Sequence, residues 1–301
     1  MSILSDGIPV GSGQVDLVVE PSVKDLGGFR VRRALPSVKR RMVGPFIFLD
    51  QMGPAVFGPG QGLDVRPHPH IGLATVTYML EGTIFHRDTL GSQQIIAPGA
   101  VNWMTAGSGI AHSERSEAGT RGIERNMMAL QNWVALPLSA EETTPAFIHH
   151  AADTLPVVAD TGVEAHILVG SAYGATSPVK PLSETLYLDI RLHAGQAIPL
   201  PPDIPERAIY LLEGKLDIGG ETFDPPRLLI FRPGDAITVR ALEDAHFIVL
   251  GGDPLEGPRH IWWNFVSHSQ DRIETAKADW KAGRFGAVVG ETEFIPLPEG
   301  P

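Results

Sequence analysis

Two pairs of side chains in this sequence have the residue types and the spacing that metal binding requires. His68 and His70 stand two apart in Pro67-His68-Pro69-His70. In an extended strand, residues i and i+2 point to the same side, so both imidazoles aim at one point. Pro69 has no N–H to give to a ladder, which places this segment at a strand start or a sheet edge. His112 and Glu114 form the second pair, again two apart, just after Gly107-Ser108-Gly109, where the backbone can turn sharply. Two same-face pairs on neighbouring strands can converge on one ion. Three imidazoles and one carboxylate then leave two further positions on an octahedral ion. The chain has no cysteine, which excludes zinc–thiolate sites and disulfides. Nitrogen and oxygen donors suit one divalent transition metal: Fe(II), Mn, Ni, Cu or Zn. Glu114 would also serve as a general base if its second oxygen swings free. His86, in Phe85-His86-Arg87-Asp88, reads as a strand residue beside a hairpin, the alternative being a place at the pocket mouth or behind a ligand that it orients. His149, His150, His260 and His268 show no ligand spacing.

The elements that must position these residues are short. Glycine (33) and proline (26) make up about one residue in five, well above ordinary usage. They separate runs rich in Val, Ile, Leu, Thr, Tyr and Phe at 74–80, 163–169, 186–192, 208–212, 228–231 and 246–250. Many short strands with turns between them predict an all-β sandwich or barrel. Helical spacing occurs clearly once, over 267–282. There Ser267 and Gln270 read as a capping box, Ile273, Ala276 and Trp280 share a face, and Gly283 follows.

The sequence also repeats itself. Tyr78-Met79-Leu80-Glu81-Gly82 returns as Tyr210-Leu211-Leu212-Glu213-Gly214, and each copy is followed by a Pro-Gly turn, at Pro98 and at Pro233. Two related domains in tandem explain this, 1–137 and 138–301, divided near the polar stretch Ser139 to Pro145. Counting from the repeat puts Leu200, Pro202 and Phe247 where the first copy has His68, His70 and His112. The second domain is therefore expected to keep the scaffold without the ligands.

Composition excludes several function classes. The chain has 301 residues, a net charge of -11 and a pI near 5.4. Binding to nucleic acid relies on Lys and Arg at phosphates, so direct DNA or RNA binding is not expected. The basic residues Arg30, Arg32, Arg33, Lys39, Arg40 and Arg41 read as solvated strand faces. No apolar run approaches the ~20 residues of a membrane helix. The first 13 residues lack the pattern of a secretion signal, so a cytoplasmic location is expected.

The motifs together resemble a known family. Paired metal motifs flanking a hairpin are similar to the cupin superfamily. Within it, His68-Pro69-His70, Tyr78 to Gly82, the run Gly109 to Glu114 and the run Gln131 to Pro137 resemble the pirin family. The resemblance covers nearly the whole chain. It implies an all-β bicupin, two tandem jelly-roll-like β-barrels with a C-terminal helix. It also implies one Fe(II) held in the N-terminal barrel by His68, His70, His112 and Glu114. Some pirins cleave flavonols such as quercetin with dioxygen, which implies a dioxygenase with a small aromatic substrate. Others act as metal-dependent regulators through protein partners, and that alternative stands beside the first. One departure is visible. Many relatives carry a glutamate where this chain has Ala74, in Ile71-Gly72-Leu73-Ala74-Thr75. Glu114 is then the sole acidic ligand, and the pocket near Ala74 should be more apolar.

Overall fold

The structure is a computed structural model, describing residues 7–9, 13–25 and 29–299. Residues 1–6 and 10–12, most of the stretch read for a secretion signal, lie outside the described residues. Strands dominate, and a single α-helix, Gln270–Lys281, appears among the described residues. No helix there is long and apolar enough to cross a membrane.

The chain divides into two compact units, and neither is one continuous stretch. One comprises 25–31, 51–152 and 256–301; it contains all the candidate ligands. The other comprises 1–24, 32–50 and 153–255.

The expectation of closed barrels is not met. The strands lie in open sheets, each ending in two edge strands. In the ligand-bearing unit, a four-stranded sheet has the spatial order Asp64–His70, Ile110–Arg115, Ile84–Asp88, Gln93–Ile96. A seven-stranded sheet has Ala146–His150 at one edge, followed by Val101–Thr105, Leu73–Glu81 and Arg125–Ala135. The reason for the open form lies at the corners. The chain leaves one sheet for the other at Gly72 (φ +67) and Gly82 (φ +77), and a Cβ at either would sit 2.5 Å or less from a carbonyl oxygen. Backbone in that left-handed region interrupts the ladder, and only glycine fits there without strain. The sheets are joined by packing: Ile84 and Ile96 of the smaller meet Met79, Met127 and Ala129 of the larger in one buried cluster.

The second unit repeats the plan. Its four-stranded sheet runs Ala197–Pro199, Thr238–Ala241, Leu216–Ile218, Glu221–Phe223, the same order of counterparts. The repeated Leu-Glu-Gly ends both Leu73–Glu81 and Glu206–Glu213, and Gly214 (φ +80) turns the corner as Gly82 does. Hydrogen bonding corrects one count made from spacing. His112 pairs with His68, and Leu200 donates its N–H to the carbonyl of Ile237. The counterpart of His112 is therefore Ile237, not Phe247, because the loop lengths differ between the copies.

The helix also shifts its cap. Ser269, not Ser267, is the N-cap, and its side chain accepts from the N–H of Arg272. Ser267 ends the strand Phe265–Ser267, and its hydroxyl donates to Glu141 at 3.2 Å. Ile273 and Ala276 pack on Ile71 and Phe265, and Gly283 (φ +69) follows the last turn as expected. The buried ion pair Arg259–Glu141, 3.0 Å, fixes this segment within the unit, with Arg259 also donating to the carbonyl of Leu136. The basic cluster is not wholly solvated: Arg33 grips both oxygens of the buried Asp50 at 2.8 Å.

Candidate metal centre

Asp64–His70 lies at the edge of its sheet, where Pro67 and Pro69 cost no ladder bonds. Its neighbour Ile110–Arg115 brings His112 opposite His68, then shifts register before Glu114. That bulge re-aims the carboxylate side of the strand. On the other side, Ile84–Asp88 sets His86 opposite Glu114 and Asp88 opposite His112.

Three imidazoles meet here. His68, His70 and His112 each offer a ring nitrogen, and these atoms lie within 4.8 Å of one another. A second set shares a member: His86, His112 and Glu114 also bring ligand atoms within 4.8 Å. All five side chains are buried. Glu114 is thus grouped with His112 and His86, whereas His68 and His70 group with His112.

The ring nitrogens can be assigned from their partners. His68 Nδ1 lies 2.9 Å from the carbonyl of Arg66, and His70 Nδ1 lies 3.2 Å from that of Asn264. A carbonyl only accepts, so each Nδ1 carries the proton and each Nε2 carries a lone pair. His70 Nε2 and His112 Nε2 face each other at 3.1 Å. Nitrogens bound at ~2.1 Å in neighbouring positions of one ion stand roughly 3 Å apart. The donor set therefore fits a divalent metal.

The electrostatics agree. Burial pushes the His68 imidazole down to about 4, against the hydrogen bond to the Arg66 carbonyl, which raises it. Burial also holds His70 and His112 well below the ordinary histidine range, with His68 adding to it. All three are neutral at pH 7, the state in which an imidazole binds metal. Burial raises the Glu114 carboxyl, opposed by His86 and by the hydrogen bond that Thr77 Oγ1 donates to its Oε1 at 3.1 Å. Thr77 also touches the side-chain amide of Gln131 at 3.0 Å. Trp133 stands edge-on to His70 and Phe147 stacks on His86, their ring centroids 5.4 Å and 4.3 Å away.

Sequence reasoning singled out four of these residues, favoured a plain strand histidine over a ligand-orienting one at His86, and passed over Asp88, Thr77 and Gln131. A signal existed for Asp88, since His86 and Asp88 also stand at i and i+2 on one strand. Ala74 needs a correction. Thr77 faces Glu114, so Ala74, an odd number of positions away, faces the opposite side of its strand. The site wall on that strand is threonine rather than alanine.

The fold and the metal-binding cluster define a cupin-type protein. Comparison with known proteins narrows this. Residues 28–134 match the pirin family and residues 187–286 match the pirin C-terminal cupin domain. A pirin-like protein of Caulobacter vibrioides is 50% identical over 95% of this chain and all of its own length. Pirin-1 of Arabidopsis thaliana is 30% identical over 87% of this chain and 91% of its own. Among solved structures, quercetin 2,3-dioxygenase from Acinetobacter baumannii superposes with a TM-score of 0.87 at 36% identity, covering 94% of this chain and 95% of that one. This chain belongs to the pirin family.

Proposed function

We propose that this protein is a metal-dependent dioxygenase for a small aromatic substrate of the quercetin type, with His68, His70, His112 and Glu114 holding one Fe(II). The carrying observation is the cluster of three buried imidazoles, with His70 Nε2 and His112 Nε2 3.1 Å apart, inside a fold that superposes on a quercetin 2,3-dioxygenase. On this reading residues 1–137 supply every ligand and 138–301 supply none.

Bound there, the ion would act as a Lewis acid and a template for dioxygen and for a substrate with adjacent hydroxyl and carbonyl oxygens. The protein's own groups do the rest. His68 and His70 are held by backbone carbonyls, so their Nε2 atoms need no reorganisation. Glu114 has Oε1 fixed by Thr77, which leaves Oε2 to take the substrate's hydroxyl proton. Its raised affinity for a proton suits that role. The burial of the cluster, with Trp133 and Phe147 beside it, keeps bulk water from the proton once it is transferred.

The test is oxygen uptake with quercetin by the iron-loaded protein, against a His70→Ala control. Uptake above the control supports the reading. Equal uptake by both, with iron present in the wild type, would sink it.

A further inference from the structure

Behind the candidate ligands runs a chain of contacts that the dioxygenase reading does not use. His112 Nδ1 lies 3.3 Å from His86 Nδ1, and His86 Nε2 lies 3.0 Å from Asp88 Oδ2. The other carboxylate oxygen, Asp88 Oδ1, accepts from the N–H groups of Leu90 (2.9 Å) and Ser92 (3.0 Å). Asp88 is fully buried. Burial alone would raise its carboxyl, but the bonds from His86 and Ser92 outweigh this and hold it below the ordinary range, so it is a carboxylate.

The direction of every bond follows from the two ends. A carboxylate only accepts, so His86 Nε2 carries the proton. Metal binding at His112 Nε2 puts the His112 proton on Nδ1, which donates to His86 Nδ1, so that atom of His86 holds a lone pair. The bond keeps the lone pair of His112 on Nε2, the atom facing His70. Phe147 stacks on the His86 ring at 4.3 Å and 11°, which keeps the ring from turning.

We propose that Asp88 and His86 are positioning residues that set the tautomer of His112 and hold its Nε2 toward the metal. This rests on the metal-site reading above. Other metal-ligating histidines are oriented by a single acceptor; here the orientation passes through a second imidazole. Such outer partners typically change metal affinity by 10–100-fold.

Asp88→Asn is the decisive variant. The two backbone N–H groups keep the amide oxygen on their side, so the amide nitrogen faces His86 Nε2 and donates to it. His86 must then put its proton on Nδ1, and His112 is driven to the wrong tautomer, although no ligand has been touched. Titration with Co(II), followed by its visible absorption, measures the effect on the full chain. We expect Asp88→Asn to bind Co(II) 10–100-fold more weakly than wild type. His86→Leu should lose as much, and His86→Gln, whose amide offers an acceptor and a donor, should recover most of it. At saturation all three should keep the wild-type absorption band, since the ligands are unchanged. Affinity within twofold of wild type for Asp88→Asn would overturn the proposal. So would a His86→Leu band altered in position or intensity, because His86 would then be a ligand itself. Wild-type protein that binds no Co(II) would overturn the metal reading and this inference together, whereas normal binding by wild type and all variants removes this inference alone.

Discussion

In the four-stranded sheet that begins at Asp64–His70, the positions turned into the unit carry His68, His86, His112 and Glu114. In the matching sheet that begins at Ala197–Pro199, the same positions carry Leu200, Ile218, Ile237 and Val239, all in one apolar cluster. The facing sheets differ likewise. Thr77 and Gln131 pair in one ladder, and their counterparts Ile209 and Val249 pair in the other. Topology, corner glycines and strand order are shared, so none of these specifies chemistry. What differs is a handful of inward side chains. The apolar set is stable by burial alone, at about 1.5–3 kcal/mol for each large side chain. The polar set needs partners for every buried nitrogen and oxygen, and a cation completes that set.

The contrast can be broken from either side. The largest effect should come from the apolar twin. Ile237→Ala should cost about 2–5 kcal/mol of unfolding free energy, through lost burial and the cavity left behind. Chemical denaturation would measure it, and the metal content of the protein that remains folded should not change. Next is His70→Ala, which removes a ligand outright. Metal affinity should fall by more than about 100-fold, beyond the cost of losing an outer partner, as read by metal analysis after dialysis.

A third experiment converts one unit toward the other. Burial holds the folded His68 down to about 4 and keeps His70 and His112 well below the ordinary histidine value of 6.5. Below pH 6.5 the unfolded chain therefore takes up protons that the folded metal-free chain refuses. Stability contributed by these groups is present above pH 6.5 and lost as pH falls toward 4. The double variant His68→Leu, His112→Ile copies Leu200 and Ile237. It should flatten that loss in thermal unfolding scans and abolish any stabilisation by added metal. The smallest effect belongs to Thr77→Val, which copies the apolar Ile209. Losing the hydrogen bond to Glu114 is worth about 0.5–1.5 kcal/mol. Metal affinity should therefore drop less than about tenfold, with stability nearly unchanged.

The sequence carried much of this. Alternation and turn residues announced an all-β chain, and i, i+2 spacing placed His68 with His70 and Glu114 near His112. The tandem Leu-Glu-Gly repeat anticipated the duplicated plan. Three things were hidden for physical reasons. Barrels were expected and open sheets found, because a glycine marks a turn in the sequence without showing that its backbone interrupts the ladder, as at Gly72 and Gly82. The counterpart of His112 was misplaced because loop length is free to vary where strand pairing is not. His86 looked like any strand histidine, since its neighbours Glu114 and Phe147 come from distant segments. Asp88, two residues on, was the one local hint.

Gly72 touches no candidate ligand through a side chain, because it has none. A Cβ there would lie 2.0 Å from the carbonyl oxygen of Val266. Two residues before Val266 is Asn264, whose carbonyl orients His70. Any side chain at position 72 would push that strand outward and turn the ring of His70 with it. A saturation mutagenesis map of metal binding should therefore score Gly72 as intolerant as the histidines, and an observer reading only that map would mistake a steric gap for a reactive group.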